Sequence, residues 1–141
     1  ANLNSPSQIV ISGSEAAIDK VADCYKDFKI RKAIKLPVSM ASHCMLQNKA
    51  AEALQKVLSA IDIKKPKFNV WANVDAHVYQ HSDEISDKLF RQMTSQVKWQ
   101  PSMEVMSSDD VVFLELGPSN VLHNLAKSYI DNKFISHKDF L

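Results

Sequence analysis

Short apolar runs alternate with amphipathic helical segments along this chain, and this alternation limits its fold more than any other feature. Four runs have the length and the apolar or β-branched character of strands: residues 8–12, 33–36, 68–71 and 111–116. The segments between them place apolar residues three and four positions apart, as helices with one buried face do. Strands that alternate with helices predict an α/β architecture.

The N-terminal quarter of the chain predicts a β-α-β unit. Residues 8–12 form its first strand, and Ser12 and Glu15 have the spacing of a helix capping box. Residues 33–36 form its second strand, which Pro37 ends. We expect a right-handed crossover between the two strands, as is usual for strands of one sheet.

Further helices are expected along the rest of the chain. One closes before Pro66, one opens at Asp83, one follows Pro101, and the last is capped by Ser119. Residues 111–116 are an uninterrupted apolar run, which is typical of a strand buried on both faces.

Composition excludes several classes of protein. A chain of 141 residues with 45% hydrophobic residues has the length of one domain and enough apolar residues for a core. A net charge of +1 implies no broad basic surface, so we expect no nucleic-acid partner. No apolar run approaches the roughly 18–20 residues of a membrane helix. Two cysteines make no disulfide framework and favour a reducing cytoplasm.

Two features indicate that the chain is a piece of a larger protein. Ala1 stands where an initiator methionine would be, and a polar, turn-like stretch at residues 2–6 follows it. The chain also has only two glycines, which is few for a complete α/β enzyme with its tight turns and phosphate or oxyanion loops.

His43 is the main candidate for chemistry. It lies in a segment of small residues between a predicted strand and a predicted helix, where α/β proteins often place reactive groups. Its imidazole could exchange a proton near neutral pH, or it could simply bond a nearby backbone group, and spacing alone leaves both interpretations open. We expect Cys44 to be a packing residue, because adjacent side chains rarely face each other. No Gly-x-Ser-x-Gly nucleophile motif is present.

The other histidines are expected to have no catalytic or metal-binding role. His77 and His81 have the four-residue spacing of metal ligands on a helix, but they lie in a polar stretch without a third ligand and are expected to be solvated. His123 and His137 are expected at the surface. We therefore expect no metal site.

Several ordered segments resemble the malonyl-CoA:acyl carrier protein transacylase family. Residues 2–13 read Asn-Leu-Asn-Ser-Pro-Ser-Gln-Ile-Val-Ile-Ser-Gly, like the family's Asn-x-Asn-Ser-Pro-x-Gln-x-Val-Ile-x-Gly segment. Leu-Pro-Val-Ser at 36–39, followed by Ser-His-Cys at 42–44, resembles its catalytic-histidine segment. Later blocks match in order and approximate spacing: Asn73-Val74, Arg91-Gln92, Val97-Lys98-Trp99 and residues 115–122. The resemblance covers the whole chain and corresponds to the C-terminal half of such an enzyme.

The resemblance implies an activity and roles for four residues. Such enzymes move a malonyl group from coenzyme A to the phosphopantetheine thiol of acyl carrier protein, through an acyl-serine, in bacterial fatty-acid synthesis. The coenzyme A thioester is a substrate, and no cofactor is implied. His43 matches the histidine that acts on the serine, and Gln92 matches a residue whose backbone carbonyl holds that histidine. Asn4 and Lys32 match positions that line the coenzyme A or pantetheine channel.

The resemblance also implies a fold and a missing part. Residues 1–37 would be the second half of a ferredoxin-like small subdomain, and residues 38–141 the C-terminal part of a large α/β-hydrolase-like domain. The nucleophilic serine, the oxyanion loop and the arginine that grips the malonyl carboxylate are absent, so we expect the chain alone to be inactive. Gln47 replaces the family's methionine, and Ser119-Asn120 replaces Gly-Lys.

Two alternatives remain open at this stage. Met-Ala-Ser-His at 40–43 shares three residues with the Tyr-Ala-Ser-His of methylmalonyl-selective polyketide acyltransferase domains, so the chain could be a segment of a polyketide or multifunctional synthase. The chain could instead be an inert module that only docks acidic carrier protein. That docking would use a basic cluster: Lys26, Lys29, Arg31, Lys32 and Lys35.

Overall fold

The chain has a mixed α/β architecture. The structure is a computed structural model that describes residues 1–108 and 110–136. Its strands are β1 (Asn2–Ser5), β2 (Gln8–Val10), β3 (Trp71–Ala72), β4 (His77–Val78), β5 (Val112–Glu115) and β6 (Lys133–Ser136). Its helices are α1 (Glu15–Cys24), α2 (Asn48–Leu58), α3 (Asp83–Gln92), α4 (Trp99–Met106) and α5 (Val121–Ala126).

An antiparallel hairpin of β1 and β2 opens the chain, where we predicted a turn and one strand. The strand at residues 8–12 is confirmed in shorter form as β2, whereas the stretch at residues 2–6 that we described as turn-like is strand as far as Ser5, and of these residues only Pro6 lies in the turn. β1 also bonds a distant segment, since the Leu3 amide donates to the Val97 carbonyl at 2.9 Å. This non-local pairing outweighs the polar composition of the segment.

The β-α-β unit predicted in the N-terminal quarter was wrong. β2 leads into α1 as expected, but Ser14 caps the helix by accepting the Ala17 amide, and Ser12 does not. Residues 33–36 form no strand. A strand needs a neighbour for its backbone groups, and within the described residues no strand pairs with residues 33–36.

The middle of the chain matches the predicted helices better than the predicted strands. α2 ends well before Pro66 and α3 begins at Asp83, so both helices are confirmed. The strand predicted at residues 68–71 is displaced to β3, which pairs with the unpredicted β4. Ala76 turns this hairpin with a φ of 62°, in a turn without glycine, which is why the pairing was missed.

A parallel β-α-β unit does occur, at the other end of the chain. β5 confirms the strand predicted at residues 111–116, and it pairs in parallel with β6 across α5. Val112 and Leu114 are each about half exposed, so the prediction of burial on both faces was wrong for this chain. Nothing among the described residues covers that face.

The main buried cluster lies where α4, α5 and the parallel pair meet. Met103, Ala126 and Ile130 are buried at its centre. Large side chains pack around them: Trp99, Met106, Phe113, Tyr129 and Phe134. α4 begins at Trp99, before Pro101, which therefore sits in the first turn, where a missing amide costs no helix bond. Within the residues the structure describes, none of the helices is long and apolar enough to span a bilayer.

Candidate active site

His43 lies in the segment that leads into α2 and has an unusual backbone. Its φ is 57°, in the left-handed region that is uncommon for residues other than glycine, although asparagine, aspartate and histidine adopt it more often than the rest. Its side chain is half-buried. A non-glycine residue held in this conformation indicates that the surrounding structure constrains it, and such constraint is common at functional sites.

Two hydrogen bonds to the carbonyl of Ala41 stabilise the segment around His43. The Gln47 side-chain amide donates to that carbonyl at 2.9 Å, and the Cys44 thiol donates to it at 3.3 Å. These two bonds close a short loop with His43 between their ends. The Cys44 thiol is thus engaged by the backbone rather than by the neighbouring imidazole.

Gln92 brings the end of α3 to the histidine. It is the last residue of the helix, and its carbonyl oxygen accepts a hydrogen bond from His43 Nδ1 at 2.9 Å. Carbonyls in the last turn of a helix lack partners within the helix, so this one is free to accept. Because a carbonyl can only accept, Nδ1 carries the proton and Nε2 keeps its lone pair in the neutral ring.

The Gln92 side chain also lies beside the His43 ring. Its amide nitrogen donates to the Ser95 carbonyl at 3.2 Å and lies 3.4 Å from His43 Nδ1. Within the described part of the chain, His43 Nε2 has no hydrogen-bond partner. The arrangement therefore holds an imidazole in one tautomer with a free proton acceptor, which is what a general base needs.

Asn4 and Lys32 make no contact with the pair of His43 and Gln92 through hydrogen bonds in the described residues. Asn4 is in β1, and its backbone carbonyl accepts from the Tyr129 hydroxyl at 3.2 Å. Lys32 is exposed in the irregular segment between α1 and α2. Neither hydrogen-bonds to His43 or Gln92, so their assignment to a channel stays a prediction.

The remaining histidines have separate environments. His77 and His81 are exposed, but His77 lies in β4 rather than in a loop, and its Nδ1 donates to the Asp75 carbonyl at 2.8 Å. His123 is half-buried and stacks on the Phe134 ring with centroids 4.9 Å apart, so it is less exposed than a free surface histidine. His137 lies outside the described residues.

Sequence reasoning missed a buried charge cluster next to the site. The Lys88 side chain is 9% exposed and its Nζ lies 2.9 Å from Glu84 and 3.3 Å from Asp75. Burial acts to lower the pKa of Lys88, and the hydrogen bonds to Glu84 and Asp75 outweigh it and raise the pKa. Glu84 and Lys88 have the four-residue spacing of a helical ion pair, which is the sequence signal that was available.

The amides before α3 and the lysine together lower the pKa of Glu84. Its carboxylate accepts from the His81 amide at 2.9 Å, from Lys88 at 2.9 Å, and from the Gln80 amide. The His81 bond is the largest cause, followed by Lys88, and the pKa falls to about 2. The carboxylate is thus charged throughout the neutral range.

Comparison with known proteins shows one consistent similarity. A malonyl CoA-acyl carrier protein transacylase of Haemophilus influenzae is 40% identical over 140 residues, which are 98% of this chain and 45% of that protein. The transacylase of Bacillus subtilis is 39% identical over 128 residues, 90% of this chain and 40% of that protein. No family model matches the chain.

Solved structures give the same result. An acyl carrier protein S-malonyltransferase of Vibrio cholerae superposes with a TM-score of 0.91 at 35% identity, over 96% of this chain and 45% of that one. A malonyl-transacylase in complex with its type II PKS acyl-carrier protein matches with a TM-score of 0.88 at 36% identity, over 96% and 44% of the two chains.

These similarities confirm the resemblance found in the sequence motifs. The chain spans just under half the length of the curated relatives it matches. It is a homologue of the malonyl CoA-acyl carrier protein transacylases and corresponds to their C-terminal portion.

Proposed function

We propose that the protein carrying this chain transfers a malonyl group from coenzyme A to the phosphopantetheine thiol of acyl carrier protein. In this proposal His43 is the general base and the Gln92 carbonyl holds its ring. The observation that supports it best is the 2.9 Å contact between His43 Nδ1 and Gln92 O, which leaves Nε2 free. A serine outside this chain, in the remainder of the fold that the relatives have, would be the nucleophile.

The proposed reaction has two halves, and His43 moves one proton in each. Nε2 takes the serine proton as the hydroxyl attacks the malonyl thioester, and returns it to the departing coenzyme A thiolate. Nε2 then takes the proton of the carrier thiol, which attacks the malonyl-serine ester, and returns it to the serine. A neutral carbonyl partner can fix the tautomer and orientation of the imidazole, as a carboxylate does in other triads.

Substitution of His43 in the protein at its natural length tests this proposal. His43→Asn keeps a residue that tolerates the left-handed backbone and removes the base, so the fold should survive. Malonyl transfer to carrier protein should fall by at least about 10². His81→Ala, which removes an exposed histidine, is the matched control and should leave the rate unchanged. An unchanged rate in His43→Asn would refute the role of His43.

We also propose that the chain alone does not catalyse transfer. Catalysis needs a nucleophile, and no serine or cysteine hydroxyl or thiol contacts His43 Nε2 in the described residues. Incubation of the isolated chain with malonyl-CoA and carrier protein should give only background transfer. Transfer above background would contradict this statement and place the nucleophile within the chain.

Acyl carrier protein is the proposed macromolecular partner. Lys26, Lys29, Arg31 and Lys32 are exposed around the end of α1. Lys35 differs, because its ammonium pairs with Asp19 at 2.7 Å and with Glu15 at 3.3 Å. The other four basic residues form no ion pair within the described part of the chain and suit an acidic partner, and Lys32 and Asn4 would lie toward its pantetheine or toward coenzyme A.

Charge reversal tests this surface. Arg31→Glu with Lys32→Glu should weaken binding of carrier protein, and rising salt should weaken binding of the parent protein, because exposed charges are screened within about 10 Å at 0.1 M salt. Lys67→Glu changes an exposed lysine elsewhere and serves as the control. Equal affinity of the parent and the double variant would remove this surface from the proposal.

A segment of a polyketide or multifunctional synthase is the other candidate function. In that case carrier and linker domains would follow it in the gene.

A further inference from the structure

A buried cation on α3 has no part in the reaction proposed above. Lys88 is nearly enclosed, with its Nζ 2.9 Å from Glu84 Oε2, 3.3 Å from Asp75 Oδ2 and 5.2 Å from the centre of the Tyr79 ring. A charge taken out of water is costly unless its partners satisfy it. The contacts of the Lys88 ammonium must therefore offset the cost of its burial, and the segments that supply these contacts indicate what the residue holds together.

Lys88 joins three separate segments. Asp75 lies in the turn between β3 and β4, and its other oxygen accepts from the His77 amide at 3.2 Å. Glu84 lies in the first turn of α3, and its other oxygen accepts from the amides of the preceding loop, at Gln80 and His81. The lysine therefore ties α3 to the β3–β4 hairpin and to the loop that leads into the helix.

Gln92 lies one turn beyond Lys88 on the same helix. Four residues of α-helix span about 6 Å, and a helix moves as a rigid rod over that length. Any displacement of α3 along its axis therefore changes the 2.9 Å distance from the Gln92 carbonyl to His43 Nδ1. The neighbouring pair of Arg91 and Asp87 is largely exposed and lies within the helix, so it cannot anchor the helix to another segment.

We propose that Lys88 is a positioning residue, which fixes α3 on the β3–β4 hairpin so that the Gln92 carbonyl stays aligned with His43 Nδ1. The proposal rests on the proposed function for its catalytic consequence. The alignment itself is a property of the structure and can be measured without activity.

The tautomer of His43 reports the alignment directly. Long-range proton–nitrogen spectra of the natural-length protein with ¹⁵N-labelled histidine distinguish Nδ1–H from Nε2–H, and His43→Asn identifies the His43 signal by its loss. The parent protein should show Nδ1–H, because the bond to the carbonyl sets the tautomer. Lys88→Met should shift the signal toward Nε2–H, and Asp75→Asn should shift it less in the same direction. Lys64→Met, which removes an exposed ion pair with Asp62, should not shift it.

The outcomes separate the two proposals. An unchanged His43 spectrum in folded Lys88→Met overturns the positioning role; if circular dichroism shows that this variant does not fold, the Asp75→Asn spectrum decides in the same way. Lys88→Met should also lower kcat about 10–100-fold with little change in KM, as loss of an orienting partner does. An unchanged kcat alongside an inactive His43→Asn would overturn the catalytic consequence. An active His43→Asn would refute the proposed function and leave the spectral test of Lys88 intact.

Discussion

His43 has a strained backbone, and hydrogen bonds from two other parts of the chain hold it in place. Its left-handed backbone costs free energy of order 1–3 kcal/mol, and the surroundings must supply it. The Ala41 carbonyl, which accepts from Gln47 and Cys44, closes the loop on one side, and the Gln92 carbonyl holds the ring on the other. The imidazole is thus oriented from two segments that are far apart in sequence, as the proposed role of a general base requires.

Glu84 gives a prediction about acid stability. Its pKa in the fold is about 2, against 4.5 for the ordinary side chain, because the His81 amide and then Lys88 favour the charged form. A lowered pKa means that the stabilisation is fully present above pH 4.5 and is lost as the pH falls from 4.5 toward 2. Glu84→Gln should therefore be less stable than the parent at pH 7, and the difference should vanish near pH 2.

Urea unfolding at a series of pH values measures this difference. Glu52→Gln is the matched control, because Glu52 is exposed on α2 and has no hydrogen-bond partner within the described residues. Its effect should stay within the roughly 0.5 kcal/mol typical of surface substitutions. A difference between parent and Glu84→Gln that is the same at pH 7 and pH 2 would contradict the assigned hydrogen bonds.

At the scale of elements, local patterns predicted helices and missed strands that depend on distant partners. α2 and α3 carry their own signal in apolar spacing, and both were found where expected. β1 and β6 were not predicted. β1 is polar and is held in place by its hydrogen bonds to β2 and Val97, and β6 is a strand because it pairs with β5. Residues 33–36 have a strand-like composition, but among the described residues no strand lies beside them to pair with. The approach of Gln92 to His43 was available only through the family resemblance, since 49 residues separate the two.

The start of α5 yields a prediction about capping. We expected Ser119 to cap this helix, but Asn120 precedes it without a side-chain bond. The carboxylate of Glu115, at the end of β5, accepts from the Leu122 and His123 amides, both at 3.0 Å. Glu115→Ala should lower the free energy of unfolding by about 0.5–2 kcal/mol, the usual cost of a lost cap. Ser119→Ala should leave the free energy of unfolding almost unchanged. If chemical denaturation showed a larger loss for Ser119→Ala than for Glu115→Ala, Ser119 and not Glu115 would be the cap.

The whole molecule exposes more surface than its size requires. Its accessible area is 10277 Å², whereas a compact protein of 15.9 kDa exposes about 7,400 Å². Many large apolar side chains are exposed, including Val112 and Leu114 on one face of β5, each about half exposed, and Leu116 just after the strand, which is 78% exposed. Parallel strands are normally covered on both faces. The relatives are more than twice as long as this chain, which leaves enough additional fold to cover such a face.

Leu114 tests whether the β5 face is buried in the protein at its natural length. If the rest of the fold covers this face, Leu114→Ala removes a buried side chain and should lower the free energy of unfolding by about 2–5 kcal/mol. If the face stays in water, the same change should cost less than about 0.5 kcal/mol. Hydrogen exchange gives a second measurement, because the β5 amides that do not face β6 are protected only when another strand pairs with that edge. A small cost together with fast exchange at those amides would show that β5 is an edge strand with one face in water.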